Sequence, residues 1–135
     1  MNILITGIGG PTPRSIARTI RKNNPDIRII GVDANKKAIG FYMDGLCDDH
    51  KVIPKASEED YWKVINGLSE KYKIDLAFIQ PEKEVIAWGD YFKKNGKFPI
   101  PTFIPPLEYS NALVDKANMS DLLRDTHFIP KTLRI

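Results

Sequence analysis

Ile3-Leu4-Ile5-Thr6-Gly7-Ile8-Gly9-Gly10-Pro11-Thr12-Pro13-Arg14 is the stretch from which the fold can be read. Three apolar residues run straight into a glycine cluster, the pattern of a short buried strand that ends in a tight turn. Thr12 is placed to cap a helix whose first turn begins at Pro13, because a proline there gives up an amide that has no helical partner anyway. Ile16, Ala17 and Ile20 then fall on one face of that helix.

The same alternation continues outward. Residues 27–32 are apolar and β-branched and end at Asp33, so they read as a second strand. Residues 38–46 have little periodicity and predict a short helix or an irregular loop, followed by a brief third strand over 51–53. Ser57 with Glu58, Glu59 and Asp60 predicts an acidic first turn for a helix that carries Tyr61, Val64, Ile65, Leu68 and Tyr72. A fourth strand over 76–79 stops at Pro81, and Val85, Ile86, Trp88 and Phe92 give the next helix an apolar stripe that ends near Gly96. Phe103 and Ile104 predict a short fifth strand, and two further helices are expected over about 107–114 and 116–126.

Strands that alternate with helices need crossover connections, and these build a parallel sheet covered on both faces. With right-handed crossovers the expectation is an α/β, Rossmann-like fold of about five strands. Ligands in such sheets bind beyond the carboxyl ends of the strands, which puts residues 7–12, Asp33 and residues 80–84 on one rim.

Bulk properties narrow the function. With 135 residues, 42% hydrophobic and 27% charged, the chain is sized for a single core. The net charge of +3 comes from 20 basic and 17 acidic residues spread along the whole length, so no basic block exists for a run of phosphates, and nucleic acid is not expected as a partner. Cys47 stands alone, which excludes an intramolecular disulfide framework and a thiolate metal cluster and fits a reducing cytoplasm. No stretch reads as a signal peptide or a membrane span, so a soluble protein is expected.

A glycine turn that leads from a strand into a helix can offer amides to an anion. Gly7, Gly9, Gly10, Thr12 and Arg14 are therefore candidate contacts for a substrate or small anion. The dinucleotide fingerprint fails at its third glycine, however: one register puts Thr12 there and the other Pro13, where close packing near a pyrophosphate wants no side chain. Asp33 sits where a ribose-binding acid would sit. Arg14 points either at a bound carboxylate or phosphate or into water, and Glu84, with Glu82, is either a helix-starting acid or a substrate contact. Trp62, Trp88 and Phe92 read as core or interface residues, and His50 and His127 lack the spacing of a zinc site.

Several marks, in order, resemble the N-terminal domain of ATP-grasp enzymes, most closely the group similar to the carbamoyl-phosphate synthase large subunit. They are residues 3–10, Gly31-Val32-Asp33-Ala34-Asn35, Cys47-Asp48 leading into Val52-Ile53-Pro54, Asp75, Asp115-Lys116, and Phe128-Ile129-Pro130-Lys131-Thr132. The resemblance implies a pre-ATP-grasp domain over 1–114, and a helix and strand over 115–135 that lead into ATP-grasp lobes supplied in cis or as a separate subunit. It implies a parent that activates a carboxylate with ATP and magnesium for attack by a small-molecule acceptor, with Lys116 at a position that reaches an ATP phosphate. It also implies that this chain by itself frames the acceptor side and is inactive, with no cofactor of its own. The tail over 128–135 is expected to be disordered or to pair in a symmetric homodimer. Two other readings stand beside this one: a free-standing nucleotide- or dinucleotide-binding module of the kind found in sugar epimerases, and an interaction module that pairs through a sheet edge or an exposed helix.

Overall fold

The computed structural model describes residues 1–127, and the expectations for the tail fall on residues outside that range. In chain order the elements are β1 (Asn2–Thr6), α1 (Pro11–Asn23), β2 (Arg28–Asp33), a 3-10 turn (Ile39–Tyr42), β3 (Asp49–Val52), α2 (Tyr61–Tyr72), β4 (Leu76–Phe78), α3 (Glu82–Asn95), α4 (Leu107–Val114) and α5 (Lys116–Leu122). The four strands are all parallel and lie in the order β3-β2-β1-β4.

Alternation along the strands divides the core. Ile3, Ile5 and Ile29 pack with Ile8, Ala17 and Leu46 on the α1 side. Leu4, Ile30, Val32 and Ala77 pack with Tyr61, Ile65, Leu68 and Trp88 on the side of α2 and α3. Each of the buried valine, leucine and isoleucine side chains among these is worth about 1.5–3 kcal/mol relative to exposure, so both faces hold their helices firmly. The fold is the expected α/β, Rossmann-like sheet with helices on both faces.

Three local expectations are corrected. The fifth strand shrinks to a single bridge between Ala77 and Thr102, where Ala77 N–H donates to the Pro101 carbonyl at 2.8 Å and the Thr102 hydroxyl donates to the Ala77 carbonyl at 2.7 Å. Pro99, Pro101, Pro105 and Pro106 bracket it, and without amides they cannot extend a ladder. Helix α1 starts two residues early, capped at Gly10 with Pro11 at N1 and Pro13 at N3, so Thr12 lies inside the first turn and does not cap it. Prolines suit both positions because neither amide has a helical acceptor. Glu58, Glu59 and Asp60 form a turn ahead of α2, closed by Tyr61 N–H donating to the Glu58 carbonyl at 3.1 Å, and do not form its first turn.

In chain order the strands step from β1 to β2 to β3 and then jump back across β1 to β4. The crevice between the carboxyl ends of β1 and β4 is thus the point where the connections diverge, the place where ligands enter sheets of this kind.

Candidate functional site

The glycine turn lies at that crevice, and its backbone donors can be followed one by one. Ile8 N–H donates to the Val32 carbonyl at 3.1 Å, Gly9 N–H to Asp33 Oδ2 at 2.9 Å and Gly10 N–H to the Gly7 carbonyl at 2.8 Å. Pro11 and Pro13 carry no amide, and Arg14 N–H turns back to the Gly10 carbonyl at 3.4 Å. A phosphate cradle needs several such donors aimed at one point. From residue 8 through residue 14, only the Thr12 amide is left with no acceptor among the described residues.

The side chains of the rim are equally engaged. Asp33 bridges Gly9 N–H through Oδ2 and Asn35 N–H through Oδ1, the latter at 2.8 Å, so its carboxylate acts as the anion of the turn. Arg14 Nε donates to the Gly10 carbonyl at 3.0 Å and one of its terminal nitrogens lies 3.9 Å from the Met43 sulfur. Thr12 is exposed.

Two contacts narrow the opening. Gly7 adopts φ +64°, and a Cβ there would stand 2.7 Å from Pro81 Cγ, so the turn and the loop after β4 touch. On the other side the segment after β2 folds over the turn. A Cβ on Gly9 would meet Ala38 Cβ at 3.0 Å, and Gly40 lies against the Ile8 carbonyl. What remains is a cleft of about 220 Å³ lined by Gly7, Gly10, Thr12, Pro13, Gln80 and Pro81. Pockets for drug-sized ligands run to roughly 300–1,000 Å³. This cleft suits a smaller group.

Glu84 lies beneath the rim and not on its surface, with 6% of its area exposed. Its Oε2 accepts the Tyr61 hydroxyl at 2.8 Å, and the Tyr61 oxygen in turn accepts the Trp88 indole N–H at 2.9 Å. Burial raises the carboxyl above its ordinary value, while Tyr61 and Thr6 oppose that shift and Asp33 adds to it. Burial likewise raises the Tyr61 phenol, with Glu84 adding to the shift. Neither Tyr61 nor Thr6 was singled out from the sequence. A usable signal existed: a buried tyrosine and a buried tryptophan each need a polar partner, and Glu84 stands one helical turn before Trp88.

The other candidates lie apart from the crevice. Lys116 is exposed at the start of α5, whose cap is Asp115; Asp115 Oδ1 accepts the amides of Ala117 at 2.8 Å and Asn118 at 3.2 Å. Trp88 belongs to the core, Trp62 is half-buried against it, and Phe92 is 46% exposed. His50 stacks on Phe41 with 4.9 Å between ring centroids. Burial pushes the Cys47 thiol up to about 11, which leaves it a poor nucleophile. Among the described residues no three His, Cys, Asp or Glu side chains come together to hold a metal, and no helix is long and apolar enough to cross a membrane.

The chain matches no family model and no curated protein. Solved structures do resemble it. A dTDP-glucose 4,6-dehydratase from Bacillus anthracis str. Ames, in complex with NAD, superposes with a TM-score of 0.53 at 14% identity over 90% of this chain and 51% of that one. TubZ of the Clostridium botulinum phage c-st superposes with a TM-score of 0.48 at 15% identity over 95% of this chain and 61% of that one. The chain therefore spans about half the length of the dehydratase. At such identity the likeness to the dehydratase is one of fold, and it agrees with the Rossmann-like strand order.

Proposed function

We propose that this chain is the N-terminal domain of an ATP-dependent ligase of the ATP-grasp type, similar to the carbamoyl-phosphate synthase large subunit group, and that its β1/β4 rim frames the small-molecule acceptor. The observation that carries this reading is the engaged glycine turn. With Asp33 on Gly9 N–H, Pro81 against Gly7 and a cleft of about 220 Å³, the rim favours a small polar group over a dinucleotide. The family in this reading rests on the resemblance of the sequence marks from Ile3 to Thr132.

In this reading ATP and magnesium belong to the ATP-grasp lobes into which residues 115–135 lead, in cis or as a separate subunit, and Lys116 meets a phosphate only when those lobes are present. The described acids of this chain do not gather as magnesium ligands, so no catalytic step is assigned to them. A reducing cytoplasm is the compartment that suits a lone, half-buried thiol.

A second reading, a free-standing nucleotide- or dinucleotide-binding module, is favoured by the strand order and by the fold shared with an NAD-complexed enzyme. It requires Asp33 to release Gly9 and Pro81 to withdraw from Gly7. Calorimetric titration separates the two. The first reading expects NAD and NADP to bind only weakly, and expects no magnesium-dependent ATP turnover by this chain alone. A micromolar dissociation constant, about −8 kcal/mol, overturns it in favour of the second. Magnesium-dependent ATP turnover that Lys116→Ala abolishes overturns the expectation that this chain is inactive alone.

A further inference from the structure

At the β3 edge of the sheet, separated from the β1/β4 crevice by β2, a second groove of about 430 Å³ runs between β3 and α2. Its charged lining is Lys51 of β3, Lys63 and Lys71 of α2, and a single acid, Asp60, just ahead of that helix. Val64 and Leu68 supply its apolar part. It shares no residue with the crevice.

Three observations set this groove apart from ordinary solvated surface. The first is charge left without a partner. Lys51 and Lys63 make no hydrogen bond or ion pair with any described residue, and Asp60, one turn before Lys63, does not pair with it; the ion pairs among the described residues are made by Arg21, Arg28 and Arg124. The second is the placement of Lys71. Its ammonium donates to the Tyr72 hydroxyl at 3.0 Å and stands 4.6 Å from the centre of that ring, which holds the cation at the edge of the groove. The third is Gly67. It lies midway between Lys63 and Lys71 on one face of α2, a turn from each, and a Cβ there would meet no heavy atom within 4 Å. A glycine inside a helix weakens it, and this one relieves no contact within the chain. What it leaves is a gap between two cations that a larger side chain would fill.

We propose that this groove binds a small phosphate ester, whose dianionic head lies over Gly67 among Lys51, Lys63 and Lys71. Three lysines against one aspartate leave the lining positive. A dianion gains from several ammonium groups at once, and an ammonium is a point charge that takes phosphate oxygens from many directions. The volume falls in the roughly 300–1,000 Å³ of small-molecule sites, so the groove suits a compact ester and not the phosphate run of a nucleic acid. Nothing in this site depends on the ligase reading.

The experiment is an NMR titration of the ¹⁵N-labelled chain with glycerol phosphate at constant ionic strength. Saturable shifts are expected at the amides of Lys51, Lys63, Gly67 and Lys71, and none at Gly9 or Gly10 of the crevice. Lys51→Gln and Lys63→Gln are each expected to weaken binding about tenfold, the worth of one hydrogen bond to a charged group. Lys37→Gln, at an exposed lysine elsewhere, leaves it unchanged. Gly67→Leu closes the gap with a good helix former: the shifts disappear while the urea midpoint equals or exceeds that of the parent chain, a loss of binding without a loss of fold. Shifts spread over exposed lysines at large, binding that survives Gly67→Leu, or equal losses in Lys37→Gln and Lys51→Gln overturn the proposal. An absence of saturable binding overturns it too, as does attachment to anionic phospholipid vesicles by a chain that does not bind glycerol phosphate.

Discussion

Gly40 has no room for a side chain: a Cβ there would run into the Ile8 carbonyl oxygen and stand 2.8 Å from Ile8 Cγ1. It is in this way that the segment after β2 seats itself on the glycine turn, and the requirement is one of space, since its φ is not in the left-handed region. Gly40→Ala is expected to cost about 1–3 kcal/mol in urea denaturation, and an unchanged midpoint would mean that the segment is not seated there. Glu84 supplies a pH dependence of known sign. Its folded-state value is raised above the ordinary 4.5, so above that pH the folded chain holds more protons than the unfolded one. Its contribution to stability is therefore fully present below 4.5 and lost as pH rises through the folded value. Urea midpoints of Glu84→Gln measured from pH 4.5 upward should gain on those of the parent chain as pH increases; a constant difference would refute the burial argument. These residues mark the limit of legibility in the sequence. Asp33 at the end of a strand and Gly7 in a turn are readable as rim residues, but an acid in the first turn of a helix is already explained by the helix dipole, so nothing local announces that Glu84 points inward.

At the scale of elements, Gly67 lies in the middle of α2, exposed, with no heavy atom within 4 Å of where a Cβ would be. Nothing in the fold asks for a glycine there. Gly67→Ala should raise stability by about 0.5–1 kcal/mol, read as a higher urea midpoint with an unchanged slope; a lower midpoint would show that something approaches that helix face. The helices were legible because their apolar residues recur at helical spacing: Tyr61, Ile65 and Leu68 are the buried side chains of α2, and Gly96 ends α3 in the left-handed conformation. Boundaries were less so. Prolines at 11 and 13 both suit a first helical turn, and the hydrogen bonds of Gly10 and Arg14 put the start of α1 at Pro11 and not at the expected Pro13. The segment with Phe103 and Ile104 has the composition of a strand, but four surrounding prolines remove the donors a ladder needs, and Phe103 is left 82% exposed.

For the whole molecule, the core ends where the sheet does. No described side chain of α4 or α5 joins either core cluster, and Leu107 of α4 is set against Gly89 of α3. Amide hydrogen exchange should therefore show residues 107–122 opening at a lower free energy than Leu4 and Ile5 of β1, which exchange only on global unfolding. Equal protection in both regions would mean that α4 and α5 are part of the same cooperative unit. The alternation of strand and helix announced the architecture and the rim, because both follow from local pattern and from the handedness of crossovers. The closure of the crevice did not show in the sequence, since it depends on Pro81 meeting Gly7 and Ala38 meeting Gly9 across long stretches of chain. The place of β1 in the sheet has one more consequence, for the moment of synthesis. This strand is made before either of its partners, which begin at residues 28 and 76. While a ribosome is still making the chain, Ile3-Leu4-Ile5 waits with one side unpaired until β4 has emerged, so the centre of the finished sheet is the newborn chain's most adhesive segment and among the last parts to be enclosed.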